Sequence, residues 1–254
     1  MKVDYIEHKG TDLSVVNAAR VSFDKESDYC PISKQRGTEH WKLTAEDIKL
    51  INYLARENHW SPFSHPQVSI RVKAPIFVAR QLAKHQVGFA WNEVSRRYVD
   101  TPPEFYRPTY IHPEYGELSG WRAKADNVKQ GSSDTYHANM KLGWGLADSD
   151  AVYHRSHLKG CKTVGVQHRV DLVMQKAYAL YMDMVEEGVC PEQARMILPQ
   201  SMYTEWIWTG SLLGFSRVCK LRLDSHTQKE TREVAAMIQD IVQPLFPVSW
   251  EALL

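Results

Sequence analysis

The sequence predicts an α+β fold, in which a mainly antiparallel sheet packs against helices within a single domain of residues 1–254. Short segments with apolar residues at every second position, such as residues 67–74, indicate strands. Longer segments with apolar residues three and four positions apart, such as residues 44–58 and 166–187, indicate helices. Apolar residues make up 43% of the chain, which is enough to form a core of this size.

The first 58 residues predict a strand, a turn and two helices. The first three elements are a strand over residues 2–8, a turn at Gly10 and a helix over residues 12–23. Thr44, followed by Asp47 three positions later, resembles a capping box and predicts a helix that continues to Asn58. The apolar face of this helix is expected to contain Ile48, Ile51, Leu54 and Ala55.

A strand and a helix are predicted after the turn-rich connector at residues 59–66. Residues 67–74 alternate, and one side of the strand is expected to carry Val68, Ile70 and Val72. Pro75 is suited to the first position of a helix over residues 75–86, because the N–H that proline lacks would be unpaired there.

The rest of the chain is more varied. Residues 107–160 form a polar, irregular excursion with some helix expected around 134–144; it either covers a substrate channel or decorates the surface. A long core helix is predicted from Val166 to Glu187, with Gly188 as its C-terminal cap. The remaining predicted elements are a short helix at 191–199, a strand-like segment at 220–224 and a last helix at 225–242.

The charge balance excludes some classes of protein. There are 31 basic and 30 acidic residues, so a protein that mainly coats nucleic acid or an anionic membrane is not expected. No stretch approaches 18 uncharged apolar residues, and MKVDYIEHKG lacks the apolar core of a signal peptide. We therefore expect neither a membrane span nor a secretory leader.

Cysteine and histidine usage points to a reducing, cytoplasmic location without a metal centre. The four cysteines include no C-x-x-C pair, which is not the pattern of a disulfide scaffold. His154 and His157 form the only tight histidine pair, and no cysteine or carboxylate cluster of zinc-site spacing lies near them. They are predicted to be surface residues, and no metal ligands are predicted.

An unusual mixture of polar groups occupies residues 81–97. Gln81, Lys84 and His85 stand at i, i+3 and i+4 of the predicted helix and would share one face. Glu93, Ser95 and Arg97 alternate along a predicted strand and would also share a face. The two faces could form the wall of a polar pocket, or a solvated helix face followed by an edge strand. Periodicity does not distinguish the two.

Sequence blocks along the whole chain resemble one family. NEVSRRY at residues 92–98 matches the N-E-x-S-x-R-Y part of the motif of flavin-dependent thymidylate synthases, in which R-H-R precedes N-E-x-S-x-R. Further matching blocks follow in family order: AARVSF at 18–23, HWSPFSH at 59–65, VKAPIFVARQ at 72–81, EFY at 104–106, ARMILP at 194–199, YTEWIWT at 203–209 and LRLDSHTQ at 221–228. Only the excursion lies outside the resemblance.

The resemblance implies synthesis of thymidylate from deoxyuridine monophosphate (dUMP). Enzymes of the family take a carbon from methylenetetrahydrofolate and a hydride from reduced FAD, which NADPH recharges, without a cysteine nucleophile. The unrelated thymidylate synthases use a cysteine that follows a proline, whereas Cys190 precedes Pro191 here. The family is typically homotetrameric, with active sites built from several subunits.

The resemblance also assigns site residues. Arg222 matches the arginine that favours ionisation of the uracil ring and is the expected catalytic residue; alternatively, it pairs with Asp224 on a strand face. The nucleotide-binding positions are Gln81, Lys84, Glu93, Ser95, Arg97, Arg195 and Arg222. The FAD-binding positions are His59, Ser61, Lys84, His85, Gln86, Glu93, Ser211, Arg217 and His226.

The chain departs from the family at the flavin motif. K-H-Q at residues 84–86 replaces R-H-R, and one extra residue lies between this triplet and Asn92. The loss of two guanidinium groups removes bidentate phosphate contacts, and Arg217, at a position that is commonly asparagine, could restore one charge. Weaker FAD binding, a related pyrimidine substrate, a hydroxymethyl product and a nucleotide-binding oligomer without catalysis are the alternatives that remain open.

Overall fold

The computed structural model describes residues 1–35, 38–99, 101–126, 132–136, 139–141 and 163–254. The chain divides into two compact units, one formed by Met1–Val94 with Thr204–Leu254 and the other by Ser95–Tyr203. The single domain expected from the sequence stays a prediction. Among the described residues, no helix combines the length and the apolar character that a membrane span requires.

The first unit is built on a four-stranded sheet flanked by helices. The strand order is β1 (Lys2–Lys9), β4 (Gln67–Pro75), β12 (Tyr203–Ser211) and β5 (Phe89–Glu93). The β1–β4 and β12–β5 pairs are antiparallel, which confirms the predicted α+β class. A separate hairpin joins β2 (Cys30–Gln35) to β3 (Thr38–Lys42). The helices of this unit are α1 (Asp12–Arg20), α2 (Ala45–Arg56), α3 (Ile76–Leu82), α6 (Leu212–Arg222), α7 (Lys229–Leu245) and α8 (Pro247–Leu253), with short 3-10 segments at Val21–Phe23 and Ser61–Ser64.

Alternating side chains of the sheet form one side of the core. Val68, Ile70 and Val72 are buried as predicted. On β12, Trp206 and Trp208 are buried while Ile207 between them is 45% exposed. Helical residues complete the core, among them Val15, Ile51, Leu54, Val78, Leu82, Phe215, Val218, Val234 and Ile238.

Close packing against glycine fixes β5 beside β12. The Phe89 ring stacks on Trp208 with centroids 4.7 Å apart. A Cβ at Gly210 would collide with this ring, and one at Gly214 would lie 2.9 Å from it, so both positions require glycine. Gly88 adopts φ +80°, a conformation that glycine allows, and its carbonyl accepts a hydrogen bond from the Ser211 N–H.

Two predictions of secondary structure in the first unit are wrong. Pro75 is the last residue of β4 and the N-cap of α3, not the first helical residue, and α3 ends at Leu82 rather than at residue 86. The strand-like segment at 220–224 is also wrong, because α6 continues through Arg222. Its helical conformation is set by the Ser211 cap and by apolar residues at helical spacing, which outweigh the short alternation at its end.

The described residues of the second unit form three antiparallel strand pairs and a long helix. The pairs are β6 (Thr109–His112) with β7 (Gly116–Ser119), β8 (Arg122–Lys124) with β9 (Ser132–Tyr136), and β10 (Asn139–Lys141) with β11 (Thr163–Gly165). The helix predicted around 134–144 is therefore wrong for its described residues, which are extended. α4 (Val166–Glu186) agrees with the prediction, and Gly188 follows it with φ +83°. α5 (Pro191–Ala194) and a 3-10 segment, Arg195–Ile197, replace the predicted helix at 191–199.

The long helix contributes little to a core within this chain. Met174 and Tyr181 are buried, but Val173 is 54% exposed and Leu180 is 49% exposed. No residue of α4 belongs to the described hydrophobic core cluster, which is formed by the first unit. The expectation of a core helix is therefore wrong for most of its length.

A buried carboxylate connects α1, α2 and the segment between them. The Asp47 carboxylate is 1% exposed and accepts hydrogen bonds from Arg20 (2.7 Å to Nη2), Ser27 (2.9 Å) and Thr44 (2.7 Å). The Asp47 N–H donates to Thr44 Oγ1, so the predicted cap is present. Burial acts to raise the pKa of Asp47, but the hydrogen bonds from Arg20, Thr44 and Ser27 outweigh burial, and the pKa lies below its ordinary value.

Substitution of Asp47 by asparagine is expected to destabilise the chain by about 2–3 kcal/mol, because a buried cation and two hydroxyls lose their ionised acceptor. Because the folded-state pKa of Asp47 is lowered, its contribution is fully present above the unfolded-state pKa and is lost as pH falls through the folded-state pKa. Urea unfolding should therefore show a lower free energy of unfolding for Asp47→Asn than for the unsubstituted chain at neutral pH. This difference should shrink in acid. The exposed neighbour Glu46 provides the control, Glu46→Gln. An equal effect of both substitutions would contradict this role.

Candidate functional site

Arg222 joins two of the matched sequence blocks. It is the last residue of α6, and its Nε donates to His85 Nε2 at 3.1 Å. Its Nη2 donates to the main-chain carbonyl of Gln81 at 3.0 Å. The alternative pairing with Asp224 does not occur, because Asp224 accepts from the N–H of His226 at 2.8 Å and lies 2.9 Å from His226 Nδ1. Gln81, His85 and Arg222 therefore form one group, which we call the arginine cluster.

The hydrogen bond from Arg222 defines the state of His85. A guanidinium has only N–H donors, so His85 Nε2 must be the acceptor and the imidazole must carry its proton on Nδ1. Burial, together with the positive charge of Arg222, lowers the pKa of His85. Burial also lowers the pKa of Arg222, which remains a cation at neutral pH because arginine starts from so high a value. His85 is thus a neutral acceptor that orients a cation.

Thr231 of α7 and Gln228, the N-cap of α7, hold the side-chain amide of Gln81. Thr231, which is fully buried, donates from Oγ1 to Gln81 Oε1 at 3.0 Å. Gln81 Nε2 donates to Gln228 Oε1 at 2.6 Å. Neither residue was assigned a role from the sequence. Gln228 lies in the matched block at 221–228, whereas nothing in the local pattern marks Thr231.

The turn after α3 alters the predicted arrangement of residues 81–86. Because α3 ends at Leu82, the helical face expected for Gln81, Lys84 and His85 is wrong. The His85 N–H donates to the Leu82 carbonyl within the turn, and Lys84 and Gln86 are exposed. With His85 neutral and Gln86 uncharged, Lys84 is the single cation of the K-H-Q triplet.

Glu93 is oriented at the end of β5. Its Oε1 accepts from Thr204 Oγ1 at 2.6 Å and its Oε2 accepts from Trp91 Nε1 at 3.1 Å. The side chain is nevertheless exposed, so lone pairs of both oxygens remain accessible to a ligand. Trp91 is itself stacked on Trp206, with centroids 4.3 Å apart.

The other nucleotide-binding candidates belong to the second unit. The predicted strand alternation of Glu93, Ser95 and Arg97 is wrong, because β5 ends at Glu93 and a turn follows. In this turn the Tyr98 N–H donates to the Ser95 carbonyl, and Arg97 Nε donates to Ser95 Oγ at 3.2 Å. The Arg97 guanidinium lies 5.0 Å from the Tyr98 ring centroid. Arg195 is exposed at the start of the 3-10 segment.

His59 and Arg217 line a cavity of about 1190 Å³ in the first unit. The cavity lies between the end of α2, one face of α6 and the C-terminal helix α8. Its charged lining residues are Arg56, Arg217, Lys220 and Glu251. The large volume, the excess of cations and the exposed Trp60 ring suit a ligand that carries both anionic groups and a flat ring.

The remaining flavin candidates have different settings. Ser61 is exposed at the start of its 3-10 segment. Ser211 is buried and caps α6, with its Oγ accepting from the Gly214 N–H at 3.1 Å. His226 is exposed and bound to Asp224.

The structure does not bring all the predicted residues together. On α6, the side chains that line the cavity are at positions 213, 216, 217 and 220, whereas Arg222 lies about half a helical turn away from the middle of this face. The cavity lining includes none of Gln81, His85 and Arg222. Within the first unit, the cavity and the arginine cluster are therefore separate candidate half-sites on opposite faces of α6.

The described cysteines differ in their exposure. Cys219 is buried, and burial raises its pKa to about 12. Cys30 and Cys190 are free thiols, half-buried and exposed respectively. Among the described residues, no group of three histidine, cysteine or acidic side chains could hold a metal ion. Cys161, His154 and His157 lie outside the described residues.

Comparisons with known proteins agree over nearly the whole chain. Residues 3–248 match the family model described as thymidylate synthase complementing protein. A flavin-dependent thymidylate synthase of Thermus thermophilus is 34% identical over 98% of this chain and 74% of its own length. One from Thermosipho africanus is 30% identical over 98% of this chain and 89% of its own length.

A solved structure has a similar fold. A UMP/dUMP methylase, PolB, from Streptomyces cacaoi, bound with 5-Br dUMP, superposes with a TM-score of 0.66 and 24% identity, covering 99% of this chain and 93% of its own. At that identity the likeness establishes the fold alone.

His85 is expected to titrate below the ordinary histidine range and to carry its proton on Nδ1. In Arg222→Ala the neighbouring positive charge is gone, so the pKa of His85 should rise; in Arg232→Ala, whose guanidinium binds the Ser225 carbonyl instead, it should not change. Nitrogen chemical shifts of the imidazole across a pH titration measure both properties. Protonation of Nε2 in the neutral ring would contradict the arrangement.

Proposed function

The chain belongs to the flavin-dependent thymidylate synthase family, and from this premise we propose that it converts dUMP to thymidylate by reductive methylation. Methylenetetrahydrofolate would donate the carbon, and FAD recharged by NADPH would be the reductant. Family membership along residues 3–248 and the matched positions of the site residues support the proposal.

The observation that carries this proposal is the arginine cluster. Of the five N–H groups of Arg222, one is used by His85 and one by Gln81, which leaves three for a ligand. Such a fixed, partly buried cation stabilises negative charge on a pyrimidine ring and so favours ionisation of its ring nitrogen. Loss of that proton makes carbon 5 of the ring more nucleophilic toward the one-carbon unit.

The other nucleotide contacts have complementary chemistry. Arg97 and Arg195 are exposed guanidiniums suited to phosphate oxygens, and Lys84 adds a point charge. The Glu93 carboxylate accepts hydrogen bonds and would suit a sugar hydroxyl or a ring N–H. Gln81, held by Thr231, offers its remaining amide N–H and lone pair, and Ser95 offers a hydroxyl.

The cavity beside α6 would hold the cofactor. When bound, reduced FAD supplies the hydride that the methylation needs. His59 and Arg217, which line the cavity, would hold it from this face, and Ser61, Ser211 and His226 are further positions that the family resemblance implies. Lys84, His85, Gln86 and Glu93 would contact it from the other half-site, where the Nδ1–H of His85 is free of the bond to Arg222.

A complete site would require more than one copy of the chain. The cavity and the arginine cluster lie on opposite faces of α6, which is the arrangement expected if neighbouring subunits complete each site. We propose a homotetramer in which the cavity of one subunit faces the arginine cluster of another. The family resemblance implies a homotetramer with active sites shared between subunits, and the facing of these two features is our addition.

The absence of a thiol nucleophile is part of the same proposal. Cys219 remains protonated at neutral pH, and Cys190 precedes a proline at the start of α5. Burial disfavours the thiolate of Cys219, and the order of Cys190 and Pro191 is the reverse of that in the cysteine-dependent thymidylate synthases. Attack on the pyrimidine by a cysteine is therefore not part of the proposed reaction.

A hydroxymethyl product on the same scaffold is the second candidate. The changed triplet at residues 84–86 lies at the arginine cluster, where it would contact the flavin, and favours neither product by itself. A nucleotide-binding oligomer without flavin is the candidate from another class, and yellow colour of the purified chain would exclude it. The solved neighbour PolB acts on UMP as well as dUMP, so both nucleotides are needed as substrates in a test.

Anaerobic incubation of the chain with FAD, NADPH, methylenetetrahydrofolate and dUMP is expected to yield thymidylate, identified by mass. A parallel reaction with UMP tests whether the enzyme distinguishes a ribose from a deoxyribose nucleotide. Detection of a hydroxymethylated nucleotide instead of thymidylate would support the second candidate function and contradict the first. Absence of any nucleotide product, with FAD bound, would overturn the catalytic proposal.

Substitution of Arg222 by alanine is expected to reduce turnover of dUMP by about a hundred-fold or more, because the cation that meets the developing charge is lost. Flavin absorbance should show that FAD remains bound, since Arg222 lies outside the cavity. Arg232→Ala is the matched control. Full turnover in Arg222→Ala would remove Arg222 from the reaction.

A further inference from the structure

Two exposed cations face the cavity from adjacent turns of α6. Arg217 and Lys220 are three positions apart, so their side chains leave the helix on the same face. Neither side chain has a hydrogen-bond, ion-pair or aromatic partner among the described residues. Arg56, the third cation of the lining, is bound to Glu57 at 2.9 Å and lies over the Tyr53 ring. Arg217 and Lys220 are therefore the available positive charges of the cavity.

The rim of the cavity offers a flat apolar surface next to these charges. Asn58 has φ +57°, a left-handed turn that ends α2 and directs the chain into His59 and Trp60. Trp60 is 59% exposed and lines the cavity, while His59 packs edge-on against Tyr53 with centroids 5.7 Å apart. Such a rim suits a ligand with an aromatic ring next to anionic groups.

The positive charge of this cavity complements the low positive charge of the K-H-Q triplet at residues 84–86. Lys84 is the one cation of the K-H-Q triplet, because His85 is a neutral acceptor for Arg222 and Gln86 is an amide. A dinucleotide pyrophosphate carries two negative charges, so Lys84 alone leaves it under-compensated. Arg217 and Lys220 supply two positive charges, and Glu251 is the only acidic side chain among the cavity-lining residues.

We propose that Arg217 and Lys220 form the principal phosphate-binding pair for the dinucleotide cofactor of this chain. Arg217 would give two parallel N–H donors to one phosphate and Lys220 a point charge to the same group or to its neighbour. Trp60 would cover an adjoining ring of the cofactor. The inference rests on the proposed flavin dependence and adds the residues that recognise the anionic part of the cofactor.

The test compares a flavin that has phosphates with one that has none. The purified full-length chain is titrated with FAD and, separately, with riboflavin, following quenching of flavin fluorescence. The variants are Arg217→Asn, Lys220→Gln and the double substitution. Lys49→Gln, an exposed residue of α2 outside the cavity lining, removes one positive charge in the same unit and is the control.

Each single substitution is expected to weaken FAD binding about ten-fold, as for one charged hydrogen bond at a partly solvated site, with a larger loss in the double variant. Riboflavin affinity should stay unchanged in all variants, and Lys49→Gln should affect neither ligand. The dependence of FAD affinity on salt should also become weaker in the double variant, because fewer charges are neutralised on binding.

Three results would overturn the inference. Unchanged FAD affinity in the double variant would place the phosphates elsewhere, and the proposed function would stand. Unchanged FAD affinity with a lost preference for NADPH over NADH would assign the pair to the extra phosphate of the nicotinamide cofactor. An equal loss of FAD and riboflavin binding would show that the pair acts through the fold. Failure of the unsubstituted chain to bind FAD would refute the proposed function itself.

Discussion

The bond between the Arg222 guanidinium and the neutral imidazole of His85 is the interaction on which the site depends. It fixes the direction of a partly buried cation, the tautomer of a histidine and the end of α6 relative to the turn after α3. The second bond, to the Gln81 carbonyl, adds the last turn of α3 to the same group. A cation held in this way needs little reorganisation when negative charge develops on a ligand, which is the condition for strong electrostatic stabilisation.

Packing around Phe89 holds β5 beside β12. The ring lies against Gly210 and Gly214, so β5 must follow the turn at Gly88 and pair with β12. The same strand pairing places Glu93 next to Thr204 and Trp91 next to Trp206. Apolar packing thus determines the positions of exposed polar groups that have few contacts of their own. The segment that carries the extra residue before Asn92 includes the turn at Gly88, whose φ is +80°.

Local sequence patterns predicted much of the fold and less of the site. The strand at Val68–Val72 and the helix capped by Thr44 are set by neighbouring residues, and both are present. Arg222 was assigned to a strand because Leu221 and Leu223 alternate with charged residues, whereas the Ser211 cap makes this segment helical. The bond from Thr231 to Gln81 spans 150 positions, so no local pattern could reveal it. The separation of the cavity from the arginine cluster depends on which residues of α6 share a face. Residue spacing predicts these faces only once the segment is known to be helical.

The central claim is that the arginine cluster of one subunit and the cavity of another enclose the nucleotide and the flavin. A crystal structure of the chain with FAD and dUMP tests this claim most directly. The account predicts a uracil ring bound to the free N–H groups of Arg222 and a flavin that extends from this ring to His59 and Arg217 of a neighbouring subunit. A uracil ring bound away from Arg222, or a flavin whose contacts all come from one subunit, would contradict it.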